Sequence, residues 1–138
     1  MKLIIHIDGG SKGNPGPAAA GVIIRAADDG TVLQSVGVYI GEATNNVAEY
    51  NGLLEGLRRA AVFEAEEVEF YSDSELMVRQ MNGEYRVRNE NLRPLFEEAC
   101  ELAGGFARFS ISHVCRNENT EADKMAGRAI NLKRTIEE

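Results

Sequence analysis

The stretch LIIHIDGGSKGNPG, residues 3–16, most constrains how this chain of 138 residues can fold. Its apolar residues alternate up to Asp8, which is the spacing of a half-buried strand. Asp8 therefore ends a strand and stands directly before Gly9 and Gly10, where backbone can approach a ligand closely. An acidic residue in this place is typical of a cation site, but an Asp before glycine also opens turns. The stretch alone leaves both readings open.

Changes in hydrophobic period divide the rest of the chain into strands and helices. The pattern predicts strands over 18–27, 31–40, 67–72 and 107–114, and helices from 45 onward, over 74–82, over 89–103 and from 119 or 120 onward. The first three strands are joined by short turns and should be antiparallel, whereas helical crossovers make strands one, four and five parallel. We therefore expect one α/β domain, residues 1–138, with a mixed five-stranded sheet flanked by helices. The acidic terminus, Glu137 and Glu138, is expected to fray.

The formal net charge of -7 argues against a protein that holds nucleic acid mainly by bulk positive charge. It allows carboxylates that hold metal ions against phosphates, because bound cations reverse the local sign of charge. Cys100 and Cys115 are expected to be small core residues, unpaired, in a reducing compartment. The chain shows no signal segment and no apolar stretch of membrane-spanning length, so a cytoplasmic protein without membrane attachment is expected.

Four acidic residues are predicted to converge at one edge of the sheet. Asp8 and Asp73 end two parallel strands, Glu49 lies in the first turns of a helix that crosses them, and Asp123 lies in the first turn of the last helix. Such a group repels itself, so at least one pKa should be raised, or Mg²⁺ or Mn²⁺ should bind there. If Glu49 is buried, it should also have a cationic partner. Individually, Asp73 and Asp123 could be helix caps, and Glu49 could be an exposed helix residue.

Four blocks of sequence carry a family resemblance. IDGGSKGNPGPAAAG, TNNVAEYNGLLEGL, YSDSELMVRQ and NENTEADKMA resemble, in order and over nearly the whole chain, the blocks of type 1 ribonuclease H. The resemblance implies the ribonuclease H fold and hydrolysis of the RNA strand of RNA–DNA hybrids, leaving 5′-phosphate and 3′-hydroxyl ends. The family's acidic tetrad falls on Asp8, Glu49, Asp73 and Asp123 without substitution.

The resemblance also implies roles for these residues. Two Mg²⁺ ions, or Mn²⁺ ions, would bind with the substrate, with Asp8 between them, Asp123 on the ion that activates water, and Glu49 and Asp73 on the leaving-group ion. Residues expected to contact the hybrid are Gly9, Gly10, Asn14, Thr44, Asn45 and Asn46. Turn and cap formation could account for several of these residues, and we expect them to serve both purposes.

The chain departs from many family members in two places. The segment 83–91 runs where others insert a basic, Trp-containing handle, and it retains only Arg86 and Arg88. We therefore expect weaker and more salt-sensitive binding of the hybrid than in members with the handle. A mobile catalytic His is also missing from the loop before Asp123. His113 lies too early and is expected to be structural, which leaves Arg116 as the substitute that would bind a phosphate.

Alternative functions remain open at this stage. A catalytically silent hybrid-binding module would have the same fold, but it would gain nothing from clustered carboxylates. A nuclease of the same fold that acts on DNA is the second alternative. A nucleotide-binding enzyme is disfavoured, because the glycine-rich turn fits neither the Walker loop nor the dinucleotide fingerprint. We expect a monomer without an obligate protein partner.

Overall fold

A mixed six-stranded sheet forms the centre of the computed structural model, which describes residues 1–138. Its strands are β1 (Lys2–Ser11), β2 (Gly16–Ala26), β3 (Val32–Ala43), β4 (Glu67–Ser72), β5 (Arg108–His113) and β6 (Ile136–Glu137). The strand order is β5-β4-β1-β2-β3-β6. Strands β1, β2 and β3 pair antiparallel, and β4 and β5 extend the sheet in parallel from β1, as predicted.

Four α-helices connect these strands: α1 (Asn45–Val62), α2 (Glu75–Met81), α3 (Arg93–Ala103) and α4 (Thr120–Leu132). Helix α1 begins where the Thr44 hydroxyl accepts a hydrogen bond from the Val47 amide, and Ser74 caps α2 in the same way. No helix in the structure combines the length and the hydropathy needed to cross a lipid bilayer.

The two longest helices cover opposite faces of the sheet. Neighbouring strand residues point to opposite faces, so Ile24 of β2 packs in the main core with α1, whereas Ile23 packs against Ala122 and Met125 of α4. The side chains at positions 3, 5 and 7 of β1 are fully buried in the main core, as the alternation predicted. The central strands are therefore covered on both faces, by α1 on one and by α4 on the other.

Several predicted boundaries shift. Asp8 does not end its strand: β1 continues to Ser11, because Gly9, Gly10 and Ser11 stay paired with the backbone of β2. Helix α3 begins at Arg93 rather than at Asn89, because Asn89 forms a separate turn: its side chain accepts from the Asn91 amide and its carbonyl accepts from the Leu92 and Arg93 amides. Strand β3 continues to Ala43 instead of ending at residue 40. The main elements otherwise follow the predicted order.

The C-terminus corrects the five-strand prediction. Ile136 and Glu137 form a sixth strand on β3, and the backbone of Glu138 exchanges two hydrogen bonds with Ser35. The acidic side chains do not fray, because Glu137 pairs with Arg59 and Glu138 pairs with Arg128. Arg59 lies 78 positions before Glu137, and Arg128 lies in the preceding helix, 10 positions before Glu138. The two terminal acidic residues alone therefore could not indicate these ion pairs.

The prediction that both cysteines are core residues is wrong. Cys100 and Cys115 are free thiols and both are exposed. In α3 the buried position is Ala99, and a helix turns about 100° per residue, so Cys100 faces away from the core. Cys115 lies in the loop after β5, beyond the last ladder pair, Ser72 with His113.

Candidate active site

Two glycines bring the helices into contact with the central strands. A Cβ atom on Gly9 of β1 would lie 2.4 Å from the carbonyl carbon of Ala48 in α1. A Cβ atom on Gly21 of β2 would lie 1.8 Å from the carbonyl oxygen of Ala122 in α4. Gly21 is the ladder partner of Asp8. Both contacts are backbone against backbone, so no larger residue fits at either position without moving a helix.

These contacts place one carboxylate on each side of Asp8, because Glu49 follows Ala48 in α1 and Asp123 follows Ala122 in α4. Ligand oxygens of Asp8, Glu49 and Asp73 all lie within 4.8 Å of one another. Asp123 is exposed, does not lie within that distance of all three, and lines the same open groove of about 790 Å³. The structure thus brings the four predicted acidic residues to one groove, three of them tightly clustered.

The electrostatics of this cluster are unfavourable for four ionised carboxylates. Burial raises the pKa of Glu49 to about 9, and repulsion from Asp8 and Asp73 acts in the same direction. Burial also raises the pKa of Asp8 to about 8, helped by the charge of Asp73 and by contact with Asp123. The Gly9 amide and the charge of Arg116 partly oppose the rise of the pKa of Glu49. The expectation of at least one raised pKa agrees with this result.

The expected cationic partner of Glu49 is not a side chain of this protein. Glu49 takes part in no ion pair, and its Oε1 atom is buried without a hydrogen-bond partner. The charge of Arg116 acts on Glu49, but the Nε atom of Arg116 lies 3.9 Å from Oδ2 of Asp73, and its side chain is 90% exposed. A buried, unpartnered carboxylate oxygen beside two further carboxylates is a donor set that suits a hard divalent cation.

Asn119 is a site residue that the sequence analysis treated only as a possible helix cap. It is 2% exposed, and its Nδ2 atom donates to the carbonyl of Ile7 over 2.8 Å. Its own carbonyl accepts from the amide of Asp123 over 3.1 Å. Asn119 thus connects the residue before Asp8 to Asp123. The only sequence signal was a polar residue one turn before an acidic one, which is also the signal of a cap.

Of the residues predicted to contact substrate, Gly9, Gly10, Asn45 and Arg116 line the groove, whereas Asn14, Thr44 and Asn46 do not. Oδ1 of Asn14 accepts from the amide of Asn45, and Oδ1 of Asn45 accepts from the amide of Ser11. Thr44 caps α1, and Asn46 is exposed. The cap and turn functions considered for these residues are therefore present, and their contact with substrate stays a prediction.

The loop after β5 forms another part of the groove. His113 is the last residue of β5, its side chain is exposed, and it lines the groove with Cys115 and Arg116. Its place within the strand is as predicted, and its side chain faces the open groove.

The segment between α2 and α3 is the one where many family members were expected to insert a basic handle. It contains no additional helix, and Arg86 and Arg88 within it are exposed.

Comparison with known proteins identifies the family. The family described as "Reverse transcriptase-like" matches residues 6–129. The chain is 45% identical over 130 residues to the bifunctional protein Rv2228c of Mycobacterium tuberculosis and 42% identical over 125 residues to ribonuclease HI of Halobacterium salinarum. These matches cover 94% and 91% of this chain. The chain spans only 36% and 62% of the lengths of these two relatives.

Solved structures agree with this assignment. RNase H1 from Halobacterium salinarum superposes with a TM-score of 0.92 at 39% identity, covering 96% of this chain and 99% of that one. LC11-RNase H1, solved in complex with an RNA/DNA hybrid, superposes with a TM-score of 0.89 at 38% identity, covering 95% and 98%. The chain belongs to the type 1 ribonuclease H family, which confirms the resemblance and the predicted fold.

The contact at Gly21 leads to a prediction about stability. Gly21→Ala should lower the free energy of unfolding by about 2 kcal/mol or more, because the new methyl group forces α4 away from β2. Gly127→Ala is the matched control: it lies in α4, nothing lies within 4 Å of its added Cβ atom, and alanine favours helix. Urea unfolding measures both variants. Equal stability of Gly21→Ala and the wild type would contradict the packing described above.

The raised pKa values lead to a prediction about pH. Above the pKa of an unfolded carboxyl, about 4, the folded protein holds protons on Asp8 and Glu49 that the unfolded chain releases. Metal-free protein should therefore lose stability as pH rises from 7 to 9. Titration of His6 does not contribute in this range, because burial lowers its pKa below the usual value of 6.5. Asp8→Asn should be less sensitive to pH in this range. Urea unfolding in EDTA measures the effect, and a stability that rises from pH 7 to 9 would overturn the assignment.

Proposed function

We propose that the protein is an endonuclease that hydrolyses the RNA strand of RNA–DNA hybrids with two divalent cations, leaving 5′-phosphate and 3′-hydroxyl ends. The observation that carries the proposal is the cluster of Asp8, Glu49 and Asp73 in an open groove, where the single exposed guanidinium of Arg116, 3.9 Å from Asp73, is too little to neutralise it. Similarity to ribonuclease HI and to an RNase H1 solved with an RNA/DNA hybrid supports the choice of substrate.

The acidic residues fit the cations that this chemistry needs. Asp8, Glu49, Asp73 and Asp123 would hold Mg²⁺ or Mn²⁺, since carboxylate oxygens are the ligands that these ions prefer. When bound, the cations supply a water of lowered pKa and neutralise charge on the leaving oxygen. The unpartnered Oε1 of Glu49 is the atom that most needs such a cation. Asn119 keeps Asp123 in register with Asp8 for that purpose.

The mouth of the groove supplies uncharged contacts for the substrate. We assign binding of the hybrid to Asn14, Thr44, Asn45 and Asn46, and recognition of the RNA 2′-hydroxyl to Glu49 and the backbone at Gly9 and Gly10. Amides and hydroxyls bind phosphates and base edges without adding charge. Because side chains already fix one another here, little ordering is needed when the hybrid binds.

Residues 1–138 would act as one domain and as a monomer. A cytoplasmic location suits its two exposed thiols, which a reducing compartment keeps unpaired. The exposed pair Arg86 and Arg88 is a small substitute for a basic handle, so the hybrid should bind more weakly than in members with the handle. Fewer phosphate contacts release fewer counterions, so the affinity should fall less steeply with salt, contrary to the greater salt sensitivity expected from the sequence.

The test is cleavage of a labelled RNA–DNA hybrid with Mg²⁺ or Mn²⁺, beside single-stranded RNA, duplex RNA and duplex DNA. Wild type should cut the RNA strand of the hybrid, and Asp8→Asn should lower the rate at least about a hundredfold. Asp28→Asn, which removes an exposed turn carboxylate, is the matched control and should cleave like the wild type. Binding of the hybrid without cleavage would favour a silent binding module, and cleavage of DNA would overturn the substrate.

Arg116 is proposed to bind the scissile or departing phosphate in place of the missing His. Arg116→Ala should lower kcat about tenfold or more, and it should change the metal concentration for half-maximal rate much less. Arg116→Lys should recover part of the rate, because it keeps the charge without the planar fork. Arg58→Ala, which removes an exposed arginine paired with Glu98, is the control. An unchanged kcat in Arg116→Ala would remove this assignment.

A further inference from the structure

The groove that contains the carboxylates continues past them along β1. Gly10 and Ser11 form its floor beyond Asp8, and Gly127 and Ile130 of α4 line one side. Asn45, at the start of α1, lines the groove on the other side. The groove thus has a direction: it leads from the metal-binding carboxylates towards the turn between β1 and β2.

Lys12 stands where this floor ends. Its Nζ atom donates to Oδ1 of Asn131, near the end of α4, over 2.7 Å, and its backbone amide donates to the carbonyl of Pro17 over 2.9 Å. The side chain is exposed and forms no ion pair with a carboxylate. An ammonium has three donors, so two remain free after the bond to Asn131. Lys12 is therefore a positioned but unneutralised cation in a protein of net charge -7.

Seven of the other fourteen basic residues contrast with Lys12, because their charge is already paired. Lys2, Arg25, Arg58, Arg59, Arg79 and Arg128 form ion pairs with glutamates, and Arg116 lies near Asp73. Lys133 and Arg134, just after α4, are also without such partners and lie close in sequence to Asn131. Arg86, Arg88, Arg93, Arg108 and Lys124 also form no ion pair with a carboxylate, and Lys12 differs from them because the Asn131 side chain holds it where the groove floor ends.

The spacing matches a nucleic-acid strand. Residues of a strand advance about 3.3 Å each, so Lys12 lies about 13 Å along the chain from Asp8. Successive phosphates of one strand of a duplex advance about 3.4 Å along its axis, and they are farther apart along the winding strand itself. A strand that follows the groove with its scissile phosphate at the carboxylates would therefore place a phosphate within about four nucleotides of the cleavage site beside Lys12.

We propose that Lys12, held in place by Asn131, binds a phosphate of the RNA strand within about four nucleotides to one side of the cleavage site. This contact would supply part of the affinity that a basic handle provides in other family members. This inference rests on the proposed function, since it assumes that the RNA strand follows the groove. The proposed phosphate contact lies at the turn between β1 and β2, whereas Arg86 and Arg88 lie in the segment between α2 and α3.

Binding measurements test the contact. In an Asp8→Asn background, which prevents cleavage, Lys12→Gln should weaken binding of a hybrid several-fold and lower the slope of log K against log salt by about 1. Lys12→Arg should keep both values, and Asn131→Ala should weaken binding without changing the slope as much. Arg108→Gln is the matched control, because Arg108 is an unpaired arginine at the other end of the parallel strands. Equal effects of Lys12→Gln and Arg108→Gln would overturn the proposal.

A scan with single uncharged methylphosphonates in the RNA strand locates the phosphate. Wild type should lose affinity at one position within about four nucleotides of the cleavage site, on one side only, and Lys12→Gln should be insensitive at that position. The same loss in both proteins would contradict the contact. If wild type cleaves the hybrid but the scan shows no such position, only this inference fails. If wild type neither binds nor cleaves the hybrid, the proposed function fails with it.

Discussion

The close approach of two helices to the central strands is the constraint on which the rest of this structure depends. Gly9 lets the backbone of α1 touch β1, and Gly21 lets the backbone of α4 touch β2. Because Glu49 and Asp123 each follow a contacting residue, the packing that buries the core also forces acidic groups together around Asp8. The packing of the core and the positions of the acidic residues therefore depend on the same two contacts, so a change in one changes the other.

The cluster is unfavourable for the folded protein taken alone. Buried carboxylates without partners lose hydration and repel one another, and the raised pKa values of Asp8 and Glu49 express that cost. Functional sites commonly break the rules that stabilise the rest of a fold. Here the broken rule is polar satisfaction: Oε1 of Glu49 has no partner within the chain. A divalent cation would supply the missing partner, so the same groups that weaken the fold create the affinity for metal.

The sequence was sufficient to predict the strand and helix order, the convergence of the acidic residues and the family, because these depend on periodicity and on motifs that are local. It was insufficient where a partner lies far away in the chain. The strand at Ile136 depends on β3, and Asn119 depends on a carbonyl of β1 that is 112 positions away. The prediction for Cys100 was wrong because the buried face of its helix contains Ala99, and the next residue points about 100° away from that face. The packing role of Gly21 was also invisible, since a glycine in a strand does not reveal what approaches it.

Calorimetric titration of the metal-free protein with Mg²⁺ and Mn²⁺ at pH 7, in buffers of different ionisation enthalpy, tests most directly whether a cation neutralises the cluster. Because the pKa values of Asp8 and Glu49 lie above 7, cation binding must displace protons, and the measured heat must vary with the buffer. The account predicts release of about one proton or more per protein, and less in Asp8→Asn. Binding without proton release, or no binding by the wild type, would contradict it.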